Sequence, residues 1–198
     1  MMSAVPRPDR RVERTQEALR HALIGLLAEK PWEEISVQDI CDRAGIGRST
    51  FYLHHGHKEE LLADGLDNLR THLRGSGPAG HPCEPFAFMD GLVAHVDQQR
   101  QIFRSIIGRR SGHTVQRMFR EMIEQLVRDD LADRCAPSGE LALAVHFVAG
   151  GVVEALALWI ESPGGQPAAE IVRFLKASAQ RVAPCSSAND MPPRPASP

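Results

Sequence analysis

Arg48, Ser49 and Thr50 follow one another directly after a Gly-Ile-Gly turn, and Tyr52, His54, His55 and Lys58 come soon after. A guanidinium can present two N–H donors to one guanine edge, and the two hydroxyls beside it can donate or accept. A phenol and an ammonium suit phosphate oxygens. The stretch Arg43–His55, "RAGIGRSTFYLHH", contains no Asp or Glu, although the chain of 198 residues carries a formal net charge of −2. Residues 43–58 hold Arg43, Arg48 and Lys58 against no acid, a local +3 before any histidine protonates. An acid there would repel a phosphate backbone. The chain as a whole is no polycation, so a nucleic-acid partner rests on this window.

The other chemically capable groups form no comparable constellation. His54, His55 and His57 span a helix end and a turn, with nothing nearby to complete a tetrahedral metal set. Asp129 and Asp130, like Glu121 and Glu124, lack a nucleophile, phosphate loop or HExxH motif beside them, and read as solvated helix faces. The expectation is therefore no catalytic residue, no metal and no cofactor. Cys41, Cys83, Cys135 and Cys185 are widely spaced, and the first ten residues lack an apolar core of a leader. Both point to a reduced, cytoplasmic chain.

Helical periodicity must position the window. Leu19, Ala22, Leu23, Leu26 and Leu27 share one helix face, closed by Pro31. Val37, Ile40, Cys41 and Ala44 repeat the pattern after Ser36, with Asp39 three residues on as a capping box in which Asp replaces Glu or Gln. Gly45 breaks this second helix, where a left-handed turn favours glycine. Gly47 opens a third helix near Arg48–His54, and a fourth begins near Lys58 with a seam of Leu62, Leu66, Leu69 and Leu73. A short helix, a tight turn and a second short helix make a helix-turn-helix over 36–55, whose second helix enters a DNA major groove.

The residues "ISVQDICDRAGIGRSTFYLHHGHKEELL" resemble the DNA-binding segment of the TetR-like one-component regulators. The likeness covers about the first third of the chain. It lies in Ser36-Val37, Ile40, Ala44-Gly45-Ile46, Thr50-Phe51-Tyr52 and Lys58-Glu59-Glu60-Leu61. It implies an all-α fold: an N-terminal three-helix helix-turn-helix domain over 12–74, and a larger helical C-terminal ligand-binding and dimerisation domain over 84–183. It also implies a homodimer paired through its last two long helices. The DNA-facing set is then Ser36, Arg48, Ser49, Thr50, Tyr52, His54, His55 and Lys58. Two departures stand out: Gly47 replaces the usual Ser or Thr cap, and His55 replaces a Phe that usually packs.

Beyond the Gly- and Pro-rich stretch 75–85 lie further helical patterns, ending in a tail, 184–198, without periodicity that is expected to be disordered. Leu141–Ile160 is as apolar as a bilayer span, but contains His146 and Glu154 and has no closely flanking cation, so it reads as a buried or interface helix. Phe88, Met89, Phe103, Met118, Phe119, Met122, His146 and Trp159 form a set that could line an apolar effector pocket or simply be core. Gly150 and Gly151, with Phe174 and Ser178, are expected at the dimer interface, because glycines inside an apolar helix permit close approach. The resulting expectation is a repressor released from a double-stranded palindromic operator by a small apolar effector, with no membrane partner. Two alternatives remain: a DNA-binding dimer that senses nothing, and an α-helical enzyme with an incidental N-terminal hairpin.

Overall fold

The computed structural model describes residues 10–75, 84–107, 113–132, 139–162 and 164–183, so the tail at 184–198 and most of the Gly/Pro stretch lie outside the described residues. Among the described residues all regular structure is helical. The first four helices are α1 (Arg10–Glu29), α2 (Val37–Ala44), α3 (Arg48–His54) and α4 (Lys58–Gly75), with a 3-10 turn at Trp32–Glu34 between α1 and α2. The rest are α5 (Phe88–Gln98), α6 (Arg100–Ile107), α7 (His113–Ala132), α8 (Gly139–Glu161) and α9 (Ala168–Val182).

Each boundary has a local cause. Pro31 cannot continue α1, whose buried stripe is Leu19, Ala22, Leu23, Leu26 and Leu27. The 3-10 turn carries no amphipathic repeat long enough to see in sequence. It forms because Trp32 and Ile35 are both buried and Lys58 of α4 donates to both of their carbonyls. Packing then orders the chain. α1 lies across α2 and α6, while α4 runs from the helix-turn-helix to α5 and α7. α7 pairs with α8, and α9 closes over α5 and α8. Arg70 and Arg74 of α4 reach Asp129 of α7 at 3.5 and 2.7 Å, so α4 is tied into both halves of the molecule.

α8 is long and apolar enough to cross a membrane. Here it is the central helix of the C-terminal half, burying Val145, Ala149, Val152, Leu156 and Ile160 among others. Arg104 Nε donates to the Ile160 carbonyl at 2.9 Å, placing a cation at the α8 C-terminus where the helix dipole favours one.

The aromatic and Met-rich set is mostly core, and its members line different concavities: Phe103 one, Phe88 another, Met118 and Met122 a third. Phe88, Met89, Phe103, Phe119, Met122 and Trp159 are buried as core. Met118 is half-buried, and His146 is exposed with Nδ1 3.0 Å from Glu124. The buried members are spread over α5, α6, α7 and α8, each filling its own helix seam. Phe103 lines a half-open apolar pocket between α1, α4, the end of α5 and α6.

Candidate nucleic-acid interface

α3 is positioned by the caps of α2 and the turn between them. Ser36 Oγ accepts from the Asp39 amide at 3.1 Å, and the Ser36 amide donates to the Asp39 carboxylate at 2.7 Å, completing the capping box of α2. The Ser36 hydroxyl, then its amide, then Lys30 at 3.0 Å hold the Asp39 carboxyl well below the usual carboxylate range. Past α2, Gly45 takes φ 66° and ψ 32°. Its amide donates to the Asp42 carbonyl, and the Ile46 amide donates to the Cys41 carbonyl at 3.0 Å. This is the Schellman arrangement, which satisfies the last carbonyls of a helix and turns the chain sharply. Gly47 then starts α3 without a side-chain cap, its carbonyl accepting from the Thr50 and Phe51 amides.

α3 buries Phe51 completely and turns Arg48, Ser49, Tyr52 and Leu53 outward, with Thr50 half-buried. Positions 48, 49, 52 and 53 form one continuous helix face. Arg48 leans on Tyr52, its guanidinium carbon 5.9 Å from the ring centroid and Nη2 3.5 Å from the hydroxyl. Leu53 is 81% exposed. An apolar side chain in that place can meet a thymine methyl. Leu53 was missed in sequence because an apolar residue on a short helix reads as core.

Two expected DNA-facing residues point elsewhere. His55 is buried, with Nε2 2.8 Å from Asp64 of α4 and its ring packed beside Phe51 at 5.7 Å. It occupies the packing place of an aromatic residue, so its ring does not reach a phosphate. Lys58 Nζ donates to the carbonyls of Trp32 and Ile35, both at 2.7 Å, and sits 4.4 Å from the Trp32 ring centroid. It therefore pins the start of α4 to the 3-10 turn instead of standing free for phosphate. His54 is half-buried. His57 is exposed, and its Nδ1 accepts from the Glu60 amide at the start of α4. Ser36 is exposed and engaged in its cap.

The local charge also changes in three dimensions. Arg43 turns back to Glu29 of α1 at 2.5 Å, and each pushes the other's pKa toward the charged form through that hydrogen bond. Of the three cations in the window, Arg48 is left facing out. In exchange, the first turns of α1 bring Arg10, Arg11 and Arg14 to an open groove lined also by Ala44 and Ile46 of the turn. Sequence reading passed over these arginines. The signal was "DRRVERT", an arginine repeat just ahead of the helix-turn-helix.

In the C-terminal half α8 and α9 expose Leu143, Phe147, Leu158 and Phe174. Gly151 is exposed on the same α8 stripe, and Ser178 is half-buried one turn beyond Phe174. Gly150 faces inward instead: a Cβ there would come within 3.0 Å of Arg120 Nη1 of α7.

Comparison with known proteins places these features in a wider set. Residues 19–64 match the family model described as bacterial regulatory proteins, tetR family, and residues 84–181 match a transcriptional regulator C-terminal region. YxbF of Bacillus subtilis (strain 168), described as an uncharacterized HTH-type transcriptional regulator, is 51% identical over 55 residues, 27% of this chain. That match spans 14% of the relative's own length. A TetR transcriptional regulator from Streptococcus agalactiae 2603V superposes with a TM-score of 0.64 at 24% identity, over 86% of this chain and 96% of its own. Lin0861 from Listeria innocua gives 0.67 at 16% identity, over 90% and 96%. At such identities these two structures speak for the fold.

Proposed function

The chain belongs to the tetR family of bacterial regulatory proteins, and from that premise we propose that it is a cytoplasmic, homodimeric repressor that reads a palindromic operator with one α3 helix per major groove. The observation that carries this reading is the outward face of α3: Arg48, Ser49, Tyr52 and Leu53, without an acid, on a helix whose start is fixed by the Gly45 turn. Arg48 reads a base edge, the hydroxyls of Ser49 and Thr50 and the Leu53 side chain contact neighbouring edges, and Tyr52 meets phosphate. Arg10, Arg11 and Arg14 lie beside the turn that leads into the groove, where cations meet the backbone. The exposed apolar stripe on α8 and α9 supports the dimer, since such patches mark association surfaces. A small apolar effector releases the operator by favouring a dimer whose reading helices no longer match the groove spacing.

Operator binding by Arg48→Ala and Arg14→Ala, measured on the footprinted site and on scrambled DNA over a salt series, tests the assignment. Arg48→Ala should cost about 1–3 kcal/mol on the operator and relax preference at one base pair per half-site. Arg14→Ala should weaken all sequences alike and reduce the salt slope by about one unit per subunit. The half-sites should lie roughly 34–36 Å apart, one helical turn. If Arg48→Ala behaves like Arg14→Ala on both DNAs, Arg48 only holds phosphate. If neither changes binding, this surface does not read DNA.

A further inference from the structure

An apolar cavity of about 90 Å³ lies at the junction of the DNA-side helices and the C-terminal half. Leu27 of α1, Leu66 of α4 and Ile102 and Phe103 of α6 supply its apolar wall, and Arg20, His95 and Gln99 are the polar side chains in its lining. Gly65 of α4 lines it as well. Glycine weakens a helix interior, and Gly65 stands well inside an 18-residue helix. A Cβ built at Gly65 would meet no heavy atom within 4 Å. The missing side chain is therefore part of the open space. Leu62, Leu66 and Leu69 of the α4 seam line the same space, Leu62 buried and the other two half-buried.

We propose that this junction is a binding site for a compact single-ring aromatic molecule carrying one hydrogen-bonding group, and that its occupation spreads α1 and α4 from α6. The wall is apolar and includes the Phe103 ring, whose edge-to-face partner at 5.6 Å is His95. Burial, then the nearby His72, pushes the His95 pKa below its ordinary 6.5, so at neutral pH the imidazole is uncharged and can donate or accept. An engineered apolar cavity of roughly 150 Å³ takes benzene. At about 90 Å³ this half-open pocket is tight for a ring, so a ring seated fully within it presses the helices apart. The molecule then binds the separated state better than the closed one, which is the condition for shifting an equilibrium. α1 packs on α2, and α4 follows α3 directly, so the shift reaches the reading helix. This second half rests on the DNA-binding reading above; the site itself does not.

Phenol is the probe, titrated into the full chain without DNA and followed by amide chemical shifts. Saturable shifts are expected at the lining residues of α1, α4, α5 and α6, with smaller ones carried on to α2 and α3. Gly65→Leu fills the space and should weaken phenol binding at least tenfold. Gly65→Ala, which favours the helix and adds one methyl to the cavity, should weaken it by a smaller factor if the leucine variant folds poorly. With DNA present, phenol should lower operator affinity several-fold in the native chain and leave Gly65→Leu unaffected. Absence of saturable binding, or equal binding by the native chain and both variants, overturns the site. Binding that the variants abolish, with operator affinity unmoved, overturns the coupling. A chain that binds phenol as described and no DNA leaves the site standing and removes the DNA-binding reading instead.

Discussion

His55 shows how one position can look like a contact and act as a packing group. Its ring is buried against Phe51, and with Nε2–H donating to the Asp64 carboxylate, Nδ1 is left without a partner. A buried ring nitrogen without a partner carries its desolvation cost uncompensated. Replacing the ring by a hydrocarbon one removes the unsatisfied atom at little cost in shape. His55→Phe should therefore raise stability by up to about 1 kcal/mol, read as a higher melting temperature, with operator affinity kept within about twofold. A large loss of operator binding in a well-folded His55→Phe protein would mean that the imidazole touches DNA after all. Lys58 makes the same point from the other side. Its ammonium satisfies two carbonyls of the chain, so a cation at a helix start is not automatically free for a phosphate.

The helix-turn-helix is an element whose parts are each stabilised within a few residues. The box between Ser36 and Asp39 closes the start of α2, and the left-handed Gly45 closes its end. Asp39 makes this element pH-sensitive. Its carboxyl titrates well below its ordinary 3.8 in the folded chain, because the Ser36 hydroxyl and amide and Lys30 stabilise the charge. A group with a depressed folded pKa adds stability above its unfolded value and loses it as pH falls toward the folded one. The native chain should thus outlast Asp39→Asn in denaturant at neutral pH, and the gap between them should shrink steadily below about pH 4. A gap that stays constant down to pH 2 would assign the difference to side-chain shape instead of charge.

At the scale of the whole molecule, α8 serves two faces. One packs against α6, α7 and α9, and the other leaves Leu143, Phe147 and Leu158 exposed, with Phe174 of α9 beside it. Gly151 lies on that outer face, and a Cβ there meets nothing within its own chain. Gly151→Leu should consequently fold as the native chain does and weaken the proposed dimer by about 10–100-fold, equivalent to roughly 1.4–2.8 kcal/mol. Sedimentation across a concentration series reads both results. A Gly151→Leu protein that remains as tight a dimer as the native chain would move the subunit contact away from this stripe.

Helix order, the turn at Gly45 and the outward Arg48–Tyr52 face were all legible from the sequence, because periodicity, caps and glycine turns act between residues a few positions apart. Ser36 with Asp39, and Gly45 with Cys41 and Asp42, are such local sets. Tertiary structure alone decided where the long side chains went. Arg43 finds Glu29 fourteen positions away, and Lys58 finds Trp32 and Ile35 at separations of 26 and 23. Those partners come together because α1 crosses α2 and the 3-10 turn folds beneath α4. The same crossing carries Arg10, Arg11 and Arg14 to the turn, and leaves Gly65 facing open space between α1 and α6. Charge and volume at a point depend on every helix that meets there, whereas a local pattern registers one helix at a time.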